Sequence, residues 1–368
     1  MSTFSLDEDQ RQIKESMESF AADELRPISR DCDEEFRVPP EFLEKTWGLG
    51  LTANIIPEEY GGYGFNRSCL NNVIMAEALA HGDLSLSLAA MAPNLFVLPI
   101  LEMGTDAQKK KYLPTFCGDK YKVGTLAIME HSISYDPFNS QTKAVLNKDT
   151  YVINGEKCLV PLADTAEYIL VIASTDKGTG AFIVDKNTAG VSLVEKEKNM
   201  GLNALPLYRV AFKDCKVPAE NCLGGEKGID YTRLLCLSRI GLSATMVGVA
   251  QAVLDYSIKY TKERIAFGQP IATRQSIAFM LADAAIEIEG IRSLTWKAAW
   301  TADQGEAMKD DLLRISYLTK TYAAEQVFKI ADYGVSMLGG HGLIREHNIE
   351  LWFRNARAFS MLEGLIMA

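Results

Sequence analysis

Hydrophobic periodicity changes twice along this chain, and those two switches constrain its fold more than any single residue does. From Ser5 to about Pro114 apolar residues recur three or four apart, as in Leu70 to Ala78 and Phe96 to Met103, interrupted at the turn-rich Tyr60-Gly-Gly-Tyr-Gly64. That spacing lays apolar side chains along one face of a helix. Between about Tyr121 and Leu223 the texture becomes short β-branched runs: Thr150-Tyr-Val-Ile153, Tyr168 to Ala173, Ala181-Phe-Ile-Val184, Val191 to Val194 and Arg209-Val-Ala-Phe212. Asn154-Gly155, directly after the first run, predicts a hairpin turn there. After Gly228 the helical period returns nearly to the end, and Ile277, Leu281, Ala284, Ile288 and Ile291 predict one long amphipathic helix. The chain reads as mainly α with a central β domain: 1–118 helical, 119–225 β, and 226–368 a helical bundle.

A chain of 368 residues, 48% hydrophobic, can bury a large core. Its 38 basic against 48 acidic residues give a net charge of −10, which argues against a general nucleic-acid or anionic-membrane surface but leaves room for a local basic pocket. Seven cysteines without Cys-x-x-Cys or a neighbouring His pair provide neither a disulfide framework nor a zinc site, so no metal is expected and a reducing, cytoplasmic setting fits best. Met1 to Asp9 is polar and acidic, with no signal or transit peptide read in it. The apolar run Tyr168 to Ala173 is too short to span a bilayer and reads as a buried strand.

Thr261 to Gln275 sets Arg264, Phe267 and Gln275 around a Gly/Pro break between two helical patterns. A guanidinium can fork two hydrogen bonds onto a pyrophosphate, an aromatic ring can lie against a heterocycle, and a helix opening at Gln275 offers free amides to an anion. The same residues also read as a solvated arginine beside a core phenylalanine.

Further stretches carry a resemblance: Ile56-Pro-Glu-Glu-Tyr-Gly-Gly62, Gly104-Thr-Asp-Ala-Gln-Lys-Lys-Lys-Tyr-Leu113, Val217-Pro-Ala-Glu-Asn-Cys-Leu-Gly224, Leu338-Gly-Gly-His-Gly342, and Arg354-Asn-Ala-Arg-Ala-Phe359 leading to Leu362-Glu-Gly364. Together they make the chain similar to the acyl-CoA dehydrogenases, flavoenzymes that oxidise acyl thioesters between the α and β carbons. The resemblance implies an N-terminal helical domain, a middle β-barrel-like domain and a C-terminal four-helix bundle that also builds the oligomer. It implies FAD, an acyl-CoA or acyl-carrier thioester as substrate, and electron-transfer flavoprotein as electron acceptor. The assembly would be a homotetramer, or a heterotetramer with a related subunit. Arg264, Phe267, Gln275, Leu338, Gly339 and Gly340 take the cofactor-binding positions, and Arg239 and Glu130 are assigned to the substrate site.

α-Proton removal from a thioester needs a base beside the carbon acid and a hydrogen-bonded carbonyl oxygen. Glu363, between Met361-Leu362 and Gly364-Leu-Ile-Met367, occupies the family's catalytic position in apolar surroundings where desolvation favours a stronger base. Read alone, it is a glutamate that solvates a helix end; the matching residues before it turn the reading to a base. Some members carry the base at the place of Ser238, which cannot serve here. Arg239 would steady a carboxylate or the CoA moiety, or else cap a helix or pair with an acid. His131 and His341 read as satisfied loop histidines.

The resemblance breaks where the family holds its flavin ring. The family's Thr-Glu-Pro-x-Ala-Gly-Ser-Asp reads Met129-Glu-His-Ser-Ile-Ser-Tyr-Asp136, and its Trp-Ile-Thr or Trp-Ile-Ser reads Leu159-Val-Pro161. After Leu362-Glu-Gly364 the family continues with Thr and a further helix, where this chain has Leu365-Ile-Met-Ala368. Three readings follow: a dehydrogenase using Glu363, a half-site subunit of a heteromeric dehydrogenase that lends its dinucleotide-binding set to a complete partner, and a flavin monooxygenase of the same fold. The last has no evident use for a retained α-proton base.

Overall fold

The computed structural model describes residues 6–368; Met1–Ser5, the start of the polar N-terminal stretch, lies outside the described residues. Seven helices come first: α1 (Glu8–Phe20), α2 (Ser29–Glu35), α3 (Pro40–Trp47), α4 (Cys69–Gly82), α5 (Leu84–Met91), α6 (Asn94–Met103) and α7 (Asp106–Tyr112). Their starts are set locally. Asp7 and Gln10 form a capping box on α1, Thr105 and Gln108 another on α7, and Ser68 and Asp83 accept the first free amides of α4 and α5. Each satisfies donors that the helix itself cannot.

Seven strands follow in one sheet: β1 (Gly124–Ala127), β2 (Lys143–Asn147), β3 (Thr150–Pro161), β4 (Tyr168–Thr175), β5 (Gly178–Asp185), β6 (Val191–Lys196) and β7 (Leu207–Pro218). The order is β1-β4-β2-β3-β7-β6, with β5 also on β4; β1 runs parallel to β4 and the long β3·β7 pair is antiparallel. The Asn-Gly expectation is corrected here. The β2–β3 turn falls at Lys148 (φ 57), while Asn154-Gly155 lies inside β3 at a register shift against β7. Gly155 is needed at that bulge, because a Cβ would stand 2.5 Å from Thr142 Oγ1. A second bulge, between Lys157 and Val160, puts Leu159 in the left-handed region (φ 51).

The C-terminal part is built on α8 (Tyr231–Glu263), α9 (Gln275–Asp303), α10 (Lys309–Leu338) and α11 (Ile349–Ala358), with a small hairpin of β8 (Ile265–Ala266) and β9 (Gln269–Pro270) between α8 and α9. The 33-residue α8 is long and apolar enough to cross a membrane, yet 94% of its most apolar window is buried inside the protein. It is the central core helix, packed by α4, α9 and α10. Ala284, Ile288 and Ile291 of α9 are buried as their spacing predicts, and Phe279 and Ile286 on the same helix are left 59% and 70% exposed.

Candidate active site

Glu363 lies just beyond α11 in a segment that runs back against α8. Ser238 of α8 accepts the Gly364 amide through Oγ at 2.9 Å, and the missing side chain of Gly364 (φ 72) makes room for Ile128. Ser238 therefore positions the segment although it cannot act as base. The carboxylate is only 8% exposed. Its Oε1 accepts from Arg239 Nε at 3.1 Å and lies 4.0 Å from Lys320 Nζ, whereas Oε2 is buried with no hydrogen-bond partner.

This setting differs from the expected apolar pocket. The residues adjacent in sequence are apolar, but α8 and α10 bring two cations to one oxygen. Burial lowers the Lys320 pKa, with Glu363 opposing and Arg239 adding to the shift. Arg239 is the arginine paired with an acid that the sequence allowed, and its guanidinium also sits 5.3 Å from the Tyr317 ring centroid. Lys320 was not foreseen; on an α10 pattern it reads as one more charged residue, and only its burial to 7% exposure marks it. Glu363 is no solvated helix-end glutamate.

Glu130 is placed differently from the substrate-binding role expected of it. Its carboxylate accepts from Lys157 Nζ (2.8 Å), Ser140 Oγ (2.6 Å) and the amides of Gln141 (2.7 Å) and Thr142 (2.8 Å), all within the protein. Burial pushes its carboxyl up, but Lys157 and these hydrogen bonds outweigh that and hold it at about 2. Burial draws Lys157 down to about 8, against the pull of Glu130. Glu130 thus anchors the loop that follows β1, with three bonds on Oε1 and one on Oε2; its four partners are groups that only folding assembles.

The altered loops meet at Met129. Its carbonyl accepts the Cys158 amide at 2.9 Å and its Sδ accepts the Glu363 amide at 3.4 Å. The Leu159 amide is spent on Glu197 Oε1 (2.8 Å), and the Pro161 carbonyl on Thr125 Oγ1 (2.7 Å). At this end a flavin ring would meet thioether and aliphatic groups whose neighbouring amides are already paired. Tyr135, which stands where the family pattern has Ser, has a buried hydroxyl without a partner.

The residues expected to bind the dinucleotide sit elsewhere, and all but Leu338 lie at the surface. Phe267 occupies the tip of the β8–β9 hairpin at φ 54 and is 93% exposed, which overturns its reading as a core residue. A bulky side chain at positive φ is strained, and the neighbouring Arg274 guanidinium covers the ring at 5.5 Å. Arg264 ends α8 and Gln275 begins α9, whose first turn has no side-chain cap and so keeps its amides free. Leu338 is buried at the end of α10, and at Gly339 (φ 59) and Gly340 a Cβ would meet nothing within 4 Å. His341 Nδ1 is hydrogen-bonded to Tyr260 at 2.9 Å, and His131 is exposed. This open, cationic, amide-bearing surface has the chemistry to hold a diphosphate, whereas the Met129 and Leu159 loops offer few free donors.

The comparisons with known proteins agree with this architecture. Three domain models of the acyl-CoA dehydrogenase family match the chain, N-terminal over residues 7–120, middle over 125–215 and C-terminal over 227–366. The short-chain specific acyl-CoA dehydrogenase of Sus scrofa is 34% identical over 369 residues, covering 98% of this chain and 87% of the relative. The butyryl-CoA dehydrogenase structure from Megasphaera elsdenii superposes with a TM-score of 0.89 at 30% identity, covering 99% of this chain and 96% of the other. A structure described as electron transferring flavoprotein of Acidaminococcus fermentans superposes equally well, with a TM-score of 0.89, 31% identity and 99% and 96% coverage. The chain belongs to the acyl-CoA dehydrogenase family, a family of FAD-binding oxidoreductases.

Proposed function

We propose that this protein oxidises an acyl thioester between its α and β carbons with Glu363 as the base. The observation that carries this reading is the asymmetric carboxylate: Oε1 is anchored by Arg239, and Oε2 is buried and unpartnered. The free oxygen takes the α proton while the anchored one holds the geometry. Bound FAD supplies the hydride acceptor for the β carbon. Arg264, Phe267, Gln275, Leu338, Gly339 and Gly340 would hold the dinucleotide of a neighbouring subunit's cofactor, since all but Leu338 lie at an open surface. Electron-transfer flavoprotein is the proposed acceptor of the electrons.

The thioester carrier enters, in this reading, through a cleft of about 730 Å³ lined by Phe138, Lys177, Lys227, Tyr231 and Lys309. Lys177 and Lys227 suit the phosphates of CoA, whereas Lys309 is held by Asp230 at 2.9 Å and Asp310 also lines the cleft; the Tyr231 hydroxyl donates to the Pro137 carbonyl at 2.7 Å. Burial and then the charge of Glu363 push the Tyr231 phenol up. A reducing, cytoplasmic setting is part of this proposal, on the cysteine pattern of the sequence alone.

A second reading, the half-site subunit, is favoured by one observation: the amides of Cys158 and Leu159 beside the ring position are already paired, while the outward dinucleotide set is intact. Glu363→Gln tests the base. The amide keeps the shape and loses the basicity, so acyl-CoA oxidation should fall about ten-thousandfold with thioester affinity held within about threefold. Turnover within about threefold of the native protein would remove Glu363 from that role.

A further inference from the structure

Among the buried polar atoms without a partner are Glu363 Oε2 and the hydroxyl of Tyr135, which lies in the loop that begins at Met129, the residue whose Sδ accepts the Glu363 amide. Buried donors and acceptors are satisfied almost everywhere in native proteins, and an orphan at a candidate site points to a group that binds there. The loop that carries Tyr135 is fixed at both ends. Glu130 is locked to Lys157 and Ser140 on one side, Tyr231 holds the Pro137 carbonyl at 2.7 Å on the other, and the Tyr135 amide closes a turn onto the Ser132 carbonyl at 3.2 Å. The phenol is therefore placed by the loop. Burial first, and then nearby charges, push its pKa well up, so it remains an O–H donor at neutral pH. The other donor at this point, the Glu363 amide, is engaged only by the Met129 thioether, a weak acceptor that a carbonyl oxygen displaces.

We propose that Tyr135 is a further catalytic residue, donating a hydrogen bond to the thioester carbonyl oxygen as Glu363 removes the α proton. The inference rests on the reading of Glu363 as base. In this step the Cα–H bond breaks, its proton passes to Glu363 Oε2, and the electron pair spreads onto the carbonyl oxygen as an enolate. No oxidant is consumed, and the proton can return. A donor aimed at that oxygen stabilises the charge where it develops.

Because the half-step is reversible and redox-neutral, exchange of the α proton into deuterated water, followed by mass spectrometry, reads it independently of flavin reduction. Butyryl-, isobutyryl- and palmitoyl-CoA serve as probes. Tyr135→Phe, which removes only the hydroxyl, should slow exchange at saturating thioester by about a hundredfold. Binding supplies a second readout, using the acyl group exchanged fastest. Affinity for the β-ketoacyl-CoA, whose enolate already carries the charge, should fall about ten- to a hundredfold. Affinity for the matching alkyl-CoA thioether, which has no carbonyl, should stay within about threefold. Equal losses for both ligands would mean that the hydroxyl only supports the loop, and no loss of exchange would likewise overturn the proposal. Glu363→Gln separates the two claims: if it abolishes exchange and Tyr135→Phe does not, only the Tyr135 inference fails. If the native protein exchanges no α proton from any of the three, both fail.

Discussion

At Glu130 the chain spends a carboxylate on holding a loop, and the cost of losing it can be stated. Glu130→Gln leaves the Lys157 ammonium, fully buried, without its counter-charge. Breaking one side of a buried pair costs about 3–5 kcal/mol, so the urea midpoint should drop by a corresponding amount. The pH dependence follows from the direction of the shift. The folded carboxyl sits at about 2, below its ordinary 4.5, so its stabilisation is complete above pH 4.5 and is lost as pH falls toward 2. The native protein's advantage over Glu130→Gln should therefore narrow across that window. A difference that stays constant from pH 6 down to about 3 would contradict this account of the pair.

Between elements, α4 and α8 approach closely at Gly248. A Cβ built there would stand 2.2 Å from the Glu77 carbonyl and 2.8 Å from the His81 amide, both backbone atoms that no rotamer change can move. Across the same contact Arg292 of α9 donates to Glu77 at 2.7 Å, tying three helices to one another. Gly248→Ala should force α4 off α8 and destabilise by about 1–3 kcal/mol, even though alanine is the better helix former. Chemical denaturation would register this as a lowered midpoint with an unchanged slope; a rise in midpoint would show that helix propensity outweighs the clash.

On the scale of the whole molecule, the surface set for the dinucleotide and the exposed apolar residues of α9 point the same way. Phe267, Phe279 and Ile286 are 93%, 59% and 70% exposed, an unfavourable display for a chain on its own. The protein should run as an oligomer in light scattering at micromolar concentration. If the ring end lacks donors as described, the purified assembly should hold less than one flavin per chain by absorbance. Arg264→Ala should then matter mainly through the flavin of a neighbouring subunit. One tightly held flavin per chain after gel filtration would exclude the half-site subunit and leave the dehydrogenase reading, and a stable monomer would exclude both arrangements of the cofactor between subunits.

Local chemistry determined much of this protein from sequence alone. Helix and strand periods reflect which face each element must bury, so α4, α6, α9 and strands such as β4 and β5 were legible, as were the exposed Arg264–Gln275 turn and the position of Glu363. What stayed hidden depends on contacts between residues distant in the chain. Asn154-Gly155 carried a turn signal, but pairing with β7 and the close approach of Thr142 made it a bulge. The apolar neighbours of Glu363 suggested an isolated carboxylate, and tertiary packing instead brought Arg239 from α8 and Lys320 from α10 to one of its oxygens. Glu130 changed from candidate ligand to structural anchor because its partners come from another strand and loop, and Tyr135 emerged only as an unpartnered hydroxyl in the folded interior. Periodicity records what each segment must bury, whereas the environment of a buried polar group is set by whichever distant segments the fold packs against it.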